Sequence, residues 1–279
     1  MRASLFIAII MAITCTACAQ WFPDVERKGN LFGGWGWNRA AYSDSDIHFK
    51  GDGYDFTLLN VQAKDRQTQF KAETYFGLNT ITIPQTNMRF GYFITNNISI
   101  TLGVDHMKYV MQNYQTVAIE GRIDNKDYAS MVKEGEVLLS PSFLTFEHTD
   151  GLNYVNAEFE YHTGIWKNKI FHLNAFAGAG IGLMVPKSNV KLMGFERNDE
   201  FHLAGAGTDI KIGAELLIGK YFFLRYEGKT GYINMPDILT RNNGGNDRAS
   251  QEFFFAAMDG MFGFNLPLKK KTGAVGAEK

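Results

Sequence analysis

The chain has 279 residues, with 28 Lys and Arg against 29 Asp and Glu and a formal net charge of −1. That balance offers no basic footprint for nucleic acid. Apart from the leader, no run of 18 or more apolar residues occurs, which excludes helical membrane spans; the nearest approach, Phe171 to Val185, is shorter and carries three glycines.

Residues 1–19 have the layout of an export signal. Arg2 is the only charge before Gln20, an apolar run from Leu5 to Ile13 follows, and Ala17-Cys18-Ala19 has the small-x-small form that precedes cleavage. A lipoprotein reading, with Cys18 lipidated, competes with it, although Cys15 stands where Leu is usual. Cleavage after Ala19 removes both cysteines, leaving no disulfide framework and no cysteine metal site. About 260 residues remain, enough for one β-barrel domain. Residues 20–28 are expected to form a periplasmic N-terminal segment.

Two-residue alternation then recurs in eight segments: 29–40, 80–94, 98–112, 153–166, 170–186, 201–218, 222–235 and 252–266. Strands of this length, tilted, cross a bilayer core. The connections Thr95-Asn96-Asn97, Lys167-Asn168-Lys169 and Gly219-Lys220-Tyr221 are tight polar turns, whereas 41–79, 113–152, 187–200 and 236–251 are long. Short and long connections alternate along the whole chain, which predicts an all-β, antiparallel up-and-down transmembrane barrel with short periplasmic turns and long extracellular loops. Residues 269–279, opening with three lysines, read as a basic disordered tail beyond the barrel at 29–268.

Each segment has an oily and an ionic face. Phe222, Leu224 and Tyr226 alternate with Arg225, Glu227 and Lys229, and Ile210, Ile212, Ala214, Leu216 and Ile218 with Asp209, Lys211 and Glu215. Val155, Ala157, Phe159 and Tyr161 likewise oppose Glu158 and Glu160. Alternation alone does not say which face is inside, since a soluble barrel with a greasy interior has the same period. Aromatics near the short turns, Tyr92, Phe93, Trp166, Phe171 and Tyr221 to Phe223, fit an interfacial girdle. With the ionic face inward, Arg89, Lys211, Arg225 and Lys229 are expected to pair with Asp105, Glu158, Glu160, Asp209, Glu215, Glu227 and Asp259 in a filled lumen, not an open pore. Gly178, Gly180 and Gly182 either leave room for those side chains or mark kinks and bulges.

Two stretches of the long loops carry candidate chemistry. Ser43 to Asp55 is dense in Asp and Gly and can offer oxygen ligands to calcium, but it lacks the spacing and terminal Glu of an EF-hand loop and reads more simply as a polar surface loop. Phe146-Glu147-His148-Thr149-Asp150 lies at the outer mouth of the fourth segment. It resembles the strand of outer-membrane lipid hydrolases, the phospholipase and lipid A deacylase barrels, in which a histidine stands two residues before the nucleophilic serine. Here that position is Asp150, and Thr149 should face away from His148, so the resemblance implies catalytic candidates His148, Thr149 and Asp150 without a matching nucleophile. Asp105, His106, Glu158 and Glu160 are further polar groups that could converge on His148, while His162 and His202 read as residues of strand ends. No His-x-His or His-x-x-x-His spacing supports a metal site, and no cofactor is expected.

From 28 to 268 the chain resembles the small eight-stranded outer-membrane barrels of Gram-negative bacteria, in layout and not in a signature motif. That resemblance implies an outer-membrane location, contact with outer-membrane lipids and the barrel insertion machinery, and a ligand met through loops 41–79 and 113–152. One departure is the tail after Phe264-Asn265-Leu266, where many such barrels end on an aromatic. Three functions stay open: a non-enzymatic structural or surface-interaction barrel, a lipid-modifying hydrolase using His148, and a soluble secreted barrel holding an apolar ligand.

Overall fold

The computed structural model describes residues 26–77, 79–80, 83–242 and 245–268. The export signal, residues 20–25 of the N-terminal segment and the tail 269–279 lie outside the described residues.

The strands, in chain order, are β1 (Asn30–Tyr42), β2 (Ser45–Gly51), β3 (Tyr54–Val61), β4 (Ala63–Lys64), β5 (Thr86–Phe93), β6 (Ile98–Met111), β7 (Thr116–Ile123), β8 (Glu136–Leu138), β9 (Leu144–Lys167), β10 (Phe171–Met184), β11 (Lys187–Leu192), β12 (Asn198–Phe201), β13 (Gly205–Ile218), β14 (Phe222–Leu239) and β15 (Arg248–Pro267). Eight of them pair in the order β1-β5-β6-β9-β10-β13-β14-β15. The ring closes because β15 also pairs antiparallel with β1, from Asn30 opposite Pro267 to Tyr42 opposite Phe255. Every alternating segment of the sequence is therefore a wall strand. The limits differ at the long-loop end: β5 starts only at Thr86, whereas β9 reaches up to Leu144 and β15 to Arg248.

The long connections are not the open loops that the sequence suggests. Within 41–79, β2 and β3 form a hairpin closed at Gly53, whose φ of 78° is a backbone state that glycine adopts without strain. β2 pairs with the upper end of β15, β3 with β7, and β7 with β8, so the wall continues outward as a small sheet. β11 and β12 form a second hairpin beside the upper end of β9. The acidic density of Ser43 to Asp55 hides an alternation of its own: Ile47, Phe49, Tyr54 and Phe56 are buried, and the polar residues between them face out.

Which side of each strand is wet changes along its length. On β14 the inward residues run Phe223, Arg225, Glu227, Lys229, then Ile233, Met235 and Ile238. On β9, counting up from the short turn, they run His162, Glu160, Glu158, Asn156, then Tyr154 and Leu152. The outward residues invert in step: Leu102, Phe159, Ile210, Ile212 and Phe264 are exposed below, while Asn153, Asn234 and Glu252 face out above. A belt of exposed Ile, Leu and Phe around a closed wall would be a severe liability in water and is the required surface in hydrocarbon. The belt faces lipid, and the inversion marks where the bilayer ends on the long-loop side.

Three layers fill the interior. Phe32, Phe93, Leu217 and Phe223 form an apolar floor near the short turns. Charged residues fill the middle. A large apolar core lies above, including Phe49, Phe56, Tyr109, Phe146, Leu152, Tyr154, Ile233 and Phe255. Phe93 and Phe223 thus point into the lumen and not to the interfacial girdle, while Tyr92, Trp166 and Tyr221 do face out.

The inward glycines of β10 make the middle layer possible. A Cβ on Gly180 would stand 2.6 Å from Asp209 Oδ2 and 2.7 Å from Glu158 Cγ, whereas Ala179 beside it faces out. Gly180→Leu is expected to abolish the heat-modifiable gel shift of the folded barrel, while Ala179→Leu keeps it; equal shifts would contradict this facing.

Candidate functional site

The middle layer gathers residues from six wall strands onto one set of contacts. Arg89 on β5 places Nη2 2.6 Å from Asp105 Oδ1 and Nε 3.2 Å from Glu158 Oε2. Lys229 on β14 reaches the same two carboxylates at 2.7 and 2.6 Å. Lys211 on β13 lies 2.6 Å from both Glu158 and Glu160. Arg225 on β14 lies 2.9 Å from Glu160 and 3.0 Å from Glu215, and its guanidinium stands 4.4 Å from the Phe176 ring centroid. Each of these charges is buried. Removing such groups from water costs several kcal/mol per ion, which only close partners and further hydrogen bonds offset.

Two of the candidate lumen carboxylates stand apart from the closest pairs. Asp209 accepts a hydrogen bond from the Tyr154 hydroxyl at 2.8 Å, with no cation within salt-bridge distance among the described residues. Asp259 is buried, and neither carboxylate oxygen has a hydrogen-bond partner among the described residues. Glu227 sits between Lys211, Arg89 and Arg225 at 3.7, 3.8 and 3.9 Å, too long for hydrogen bonds.

Sequence reasoning missed several members. Arg27 precedes the first strand, yet its guanidinium reaches Glu215 at 3.1 Å from below. His162 is not a strand-end residue at the interface: it is buried in the lumen, 3.1 Å from Glu160 and 3.0 Å from Ser99 Oγ. Thr101 donates to Glu158 at 3.0 Å and Asn156 to Asp105 at 2.9 Å. Their inward place in the alternation was the available signal; their small or neutral side chains concealed it.

The second candidate site separates in space. His148 is fully buried inside the apolar upper core, ringed by Phe146 and Tyr109 at centroid distances of 5.0 and 5.7 Å. Thr149 and Asp150 lie on the outer wall; Thr149 donates to Glu147 at 3.3 Å and Asp150 pairs with Lys187 at 3.0 Å. Asp105, Glu158 and Glu160 belong to the middle layer, and His106 faces Asn153 at 2.8 Å, so none of them meets His148. His202 pairs instead with Asp237 at 2.8 Å.

The structure supplies a serine that the sequence spacing did not. Ser188 on β11 places Oγ 2.9 Å from His148 Nδ1. Both residues are buried, and His148 Nε2 has no hydrogen-bond partner among the described residues, so no acid orients the ring. A nucleophile and base enclosed in an apolar core have no route to lipid, which argues for a structural contact. Ser43 to Asp55 does not gather its acids either: His48 and Lys50 lie 2.8 and 3.7 Å from Asp55, and among the described residues no group of three or more His, Cys, Asp or Glu could hold a metal.

No family model matches the sequence, and no curated protein matches it. Among solved structures it is similar to the outer membrane protein OprG from Pseudomonas aeruginosa, at 12% identity over 86% of this chain and 97% of that one, with a TM-score of 0.39. It is also similar to Ail, the attachment invasion locus protein of Yersinia pestis, at 10% identity over 86% of this chain and 99% of that one, with a TM-score of 0.32. Neisserial surface protein A shares 10% identity over 86% of this chain and 98% of that one, with a TM-score of 0.36. None of these likenesses carries a residue's role across. The chain's own closed wall, lipid-facing belt and enclosed charges are those of a small outer-membrane β-barrel.

Two outcomes test this geometry. Arg89→Met leaves Asp105 and Glu158 short of a partner, and should lower stability in a urea titration by about 3–5 kcal/mol, the usual cost of breaking a buried pair. Burial pushes the His148 imidazole down to about 3 from its ordinary 6.5. When unfolded, the cap, formed by the small outer sheet and the β11–β12 hairpin above the bilayer, therefore takes up a proton below about pH 6.5 that the folded one refuses, so stability is full above that pH and falls as pH drops toward 3. Protection factors of the β11 amides, each observed rate being compared with the intrinsic rate at the same pH, should fall at pH 4.5 relative to 7.5 in the native protein, and the difference should shrink in His148→Phe.

Proposed function

We propose that the chain is a non-enzymatic outer-membrane barrel of structural or surface-interaction type, with a lumen sealed to solute and a folded cap that meets the exterior. One observation carries the reading: the inward side chains of β14 are buried from Phe223 at the floor through Arg225, Glu227 and Lys229 to Ile233 and Met235 under the cap. Eight strands enclose a space that side chains can fill, and the burial of these inward residues supports a filled lumen. In this reading the ion pairs are scaffolding: they hold opposite walls together and let charged side chains occupy an interior that hydrocarbon surrounds.

The exposed side of the cap is the part left to recognise a partner. His48, Lys50 and Asp55 from the β2–β3 hairpin and Glu120 and Arg122 on β7 present charges of both signs, which suits a polar extracellular partner more than an apolar one. Insertion through the barrel machinery belongs to the same proposal, with β15 as the closing strand and Phe264 and Leu266 facing lipid.

Protein folded into planar bilayers should give no stable conductance steps; a reproducible open level would reject the sealed lumen. His148→Ala should leave the host's outer-membrane lipid profile unchanged, and the loss of any modified lipid species would reject the non-enzymatic reading.

A further inference from the structure

On the outer wall, just above the apolar belt, the outward positions of β6 pass from Leu102 and Val104 to His106 and Lys108, and those of β9 from Val155 to Asn153. At this level a pocket of about 420 Å³ opens outward, lined by Ile83, His106, Lys108, Asn153, Lys187 and Phe201. Ile83 and Phe201 are exposed on its lining, and the belt residues Leu102 and Val155 lie on the strands below. The pocket therefore sits at the depth where outer-leaflet headgroups lie, not in the hydrocarbon and not at the tip of the cap.

The charges in and around it are unequally satisfied. Lys187 lies 3.0 Å from Asp150 and 3.5 Å from Asp199, Arg197 lies 3.2 Å from Asp199, and Arg66 lies 2.9 Å from Glu147. Lys108 differs. It is 8% exposed, and its ammonium donates only to neutral oxygens, Ile83 O at 2.6 Å and Thr68 Oγ1 at 3.2 Å. No carboxylate lies within 4.0 Å of it among the described residues. A buried ammonium without an anion is costly, and a bound anion would remove that cost. His106 adds a second polar atom there: Nδ1 faces Asn153, and Nε2 is buried without a hydrogen-bond partner among the described residues. The Asp150 carboxylate also lines the pocket, but Lys187 neutralises it.

We propose that this pocket binds the phosphorylated headgroup of an outer-leaflet lipid, with Lys108 as the charged contact, His106 as a hydrogen-bonding neighbour, and the acyl chains lying down the belt over Leu102, Val104 and Val155. The inference rests on the reading of the chain as a membrane barrel. A lipid fits better than a free anion because the pocket is continuous with a surface that acyl chains already cover.

Native mass spectrometry of the detergent-folded protein with diphosphorylated lipid A, against the same lipid with both phosphates removed, tests it. The phosphorylated form should bind roughly tenfold more tightly, as expected for one charge-assisted contact. Lys108→Gln should bring the two forms to near-equal binding, and Lys108→Arg should keep the preference. Equal binding of both lipids by the wild type, or an undiminished preference in Lys108→Gln, would overturn the site. Displacement of lipid A by inorganic phosphate at equal concentration would overturn the lipid as occupant. The heat-modifiable gel shift, run on every sample, separates the failures: a wild type without it sinks the barrel reading itself, whereas a shift without phosphate preference sinks only this site. Should Lys108→Gln lose the shift, the wild-type comparison of the two lipids and the Lys108→Arg variant decide.

Discussion

Closure of the β15–β1 seam is the constraint on which the rest depends. Within hydrocarbon no water is present to satisfy backbone N–H and C=O groups, so a sheet can cross only if it has no edge. The thirteen paired positions from Asn30 opposite Pro267 to Tyr42 opposite Phe255 remove that edge. Once the ring is shut, alternation leaves no choice about the charges. If Ile210 and Ile212 face lipid, then Asp209 and Lys211 must face the lumen, and there each needs partners close at hand.

The lumen meets that need with layers of different chemistry. Ion pairs occupy the level surrounded by lipid, where outward residues are already apolar and inward ones come from the opposite phase of the alternation. Above the bilayer the outward side is wet, so the same two-residue period turns over and apolar side chains move inside. The upper half is thus built like a soluble β-protein, with Phe49, Phe56 and Phe146 in its core, on a membrane protein's walls. β5 starts only at Thr86, and above it β1 and β6 are joined by side chains: Asn38 Nδ2 donates to His106 O at 3.3 Å and Tyr42 Oη to Lys108 O at 3.0 Å.

This division also decides what His148 can do. His148, at the top of a strand, stands where the resemblance to lipid hydrolases implied a catalytic histidine, with Asp150 in place of the serine. Instead, one position in the alternation sends His148 inward among Tyr109 and Phe146, while Thr149 and Asp150 go to the outer wall. The Ser188 contact then satisfies one ring nitrogen in a dry core. Alternation puts Thr149 on the face opposite His148, and the register shift between Met107 and Tyr109, opposite this stretch, carries Asp150 outward as well, so both are separated from the histidine by the wall.

The sequence by itself determined the number of wall strands, their two faces and the alternation of short and long connections, because a two-residue period and polar turns such as Lys167-Asn168-Lys169 are local properties of the chain. It also set Arg89, Lys211, Arg225 and Lys229 on the same kind of face as the carboxylates they meet. Which acid each cation meets, and why Asp259 and Asp209 stand apart, depends on stagger between strands distant in sequence, and no local pattern encodes that. The hairpin of β2 and β3 was obscured because its alternation is short and crowded by Asp and Gly, and its partner strands, β15 and β7, lie far along the chain. Arg27, His162 and Ser188 were likewise assigned by tertiary structure alone: each acts through a contact with a residue at least 40 positions away or on another strand, and only the closed wall brings those residues together.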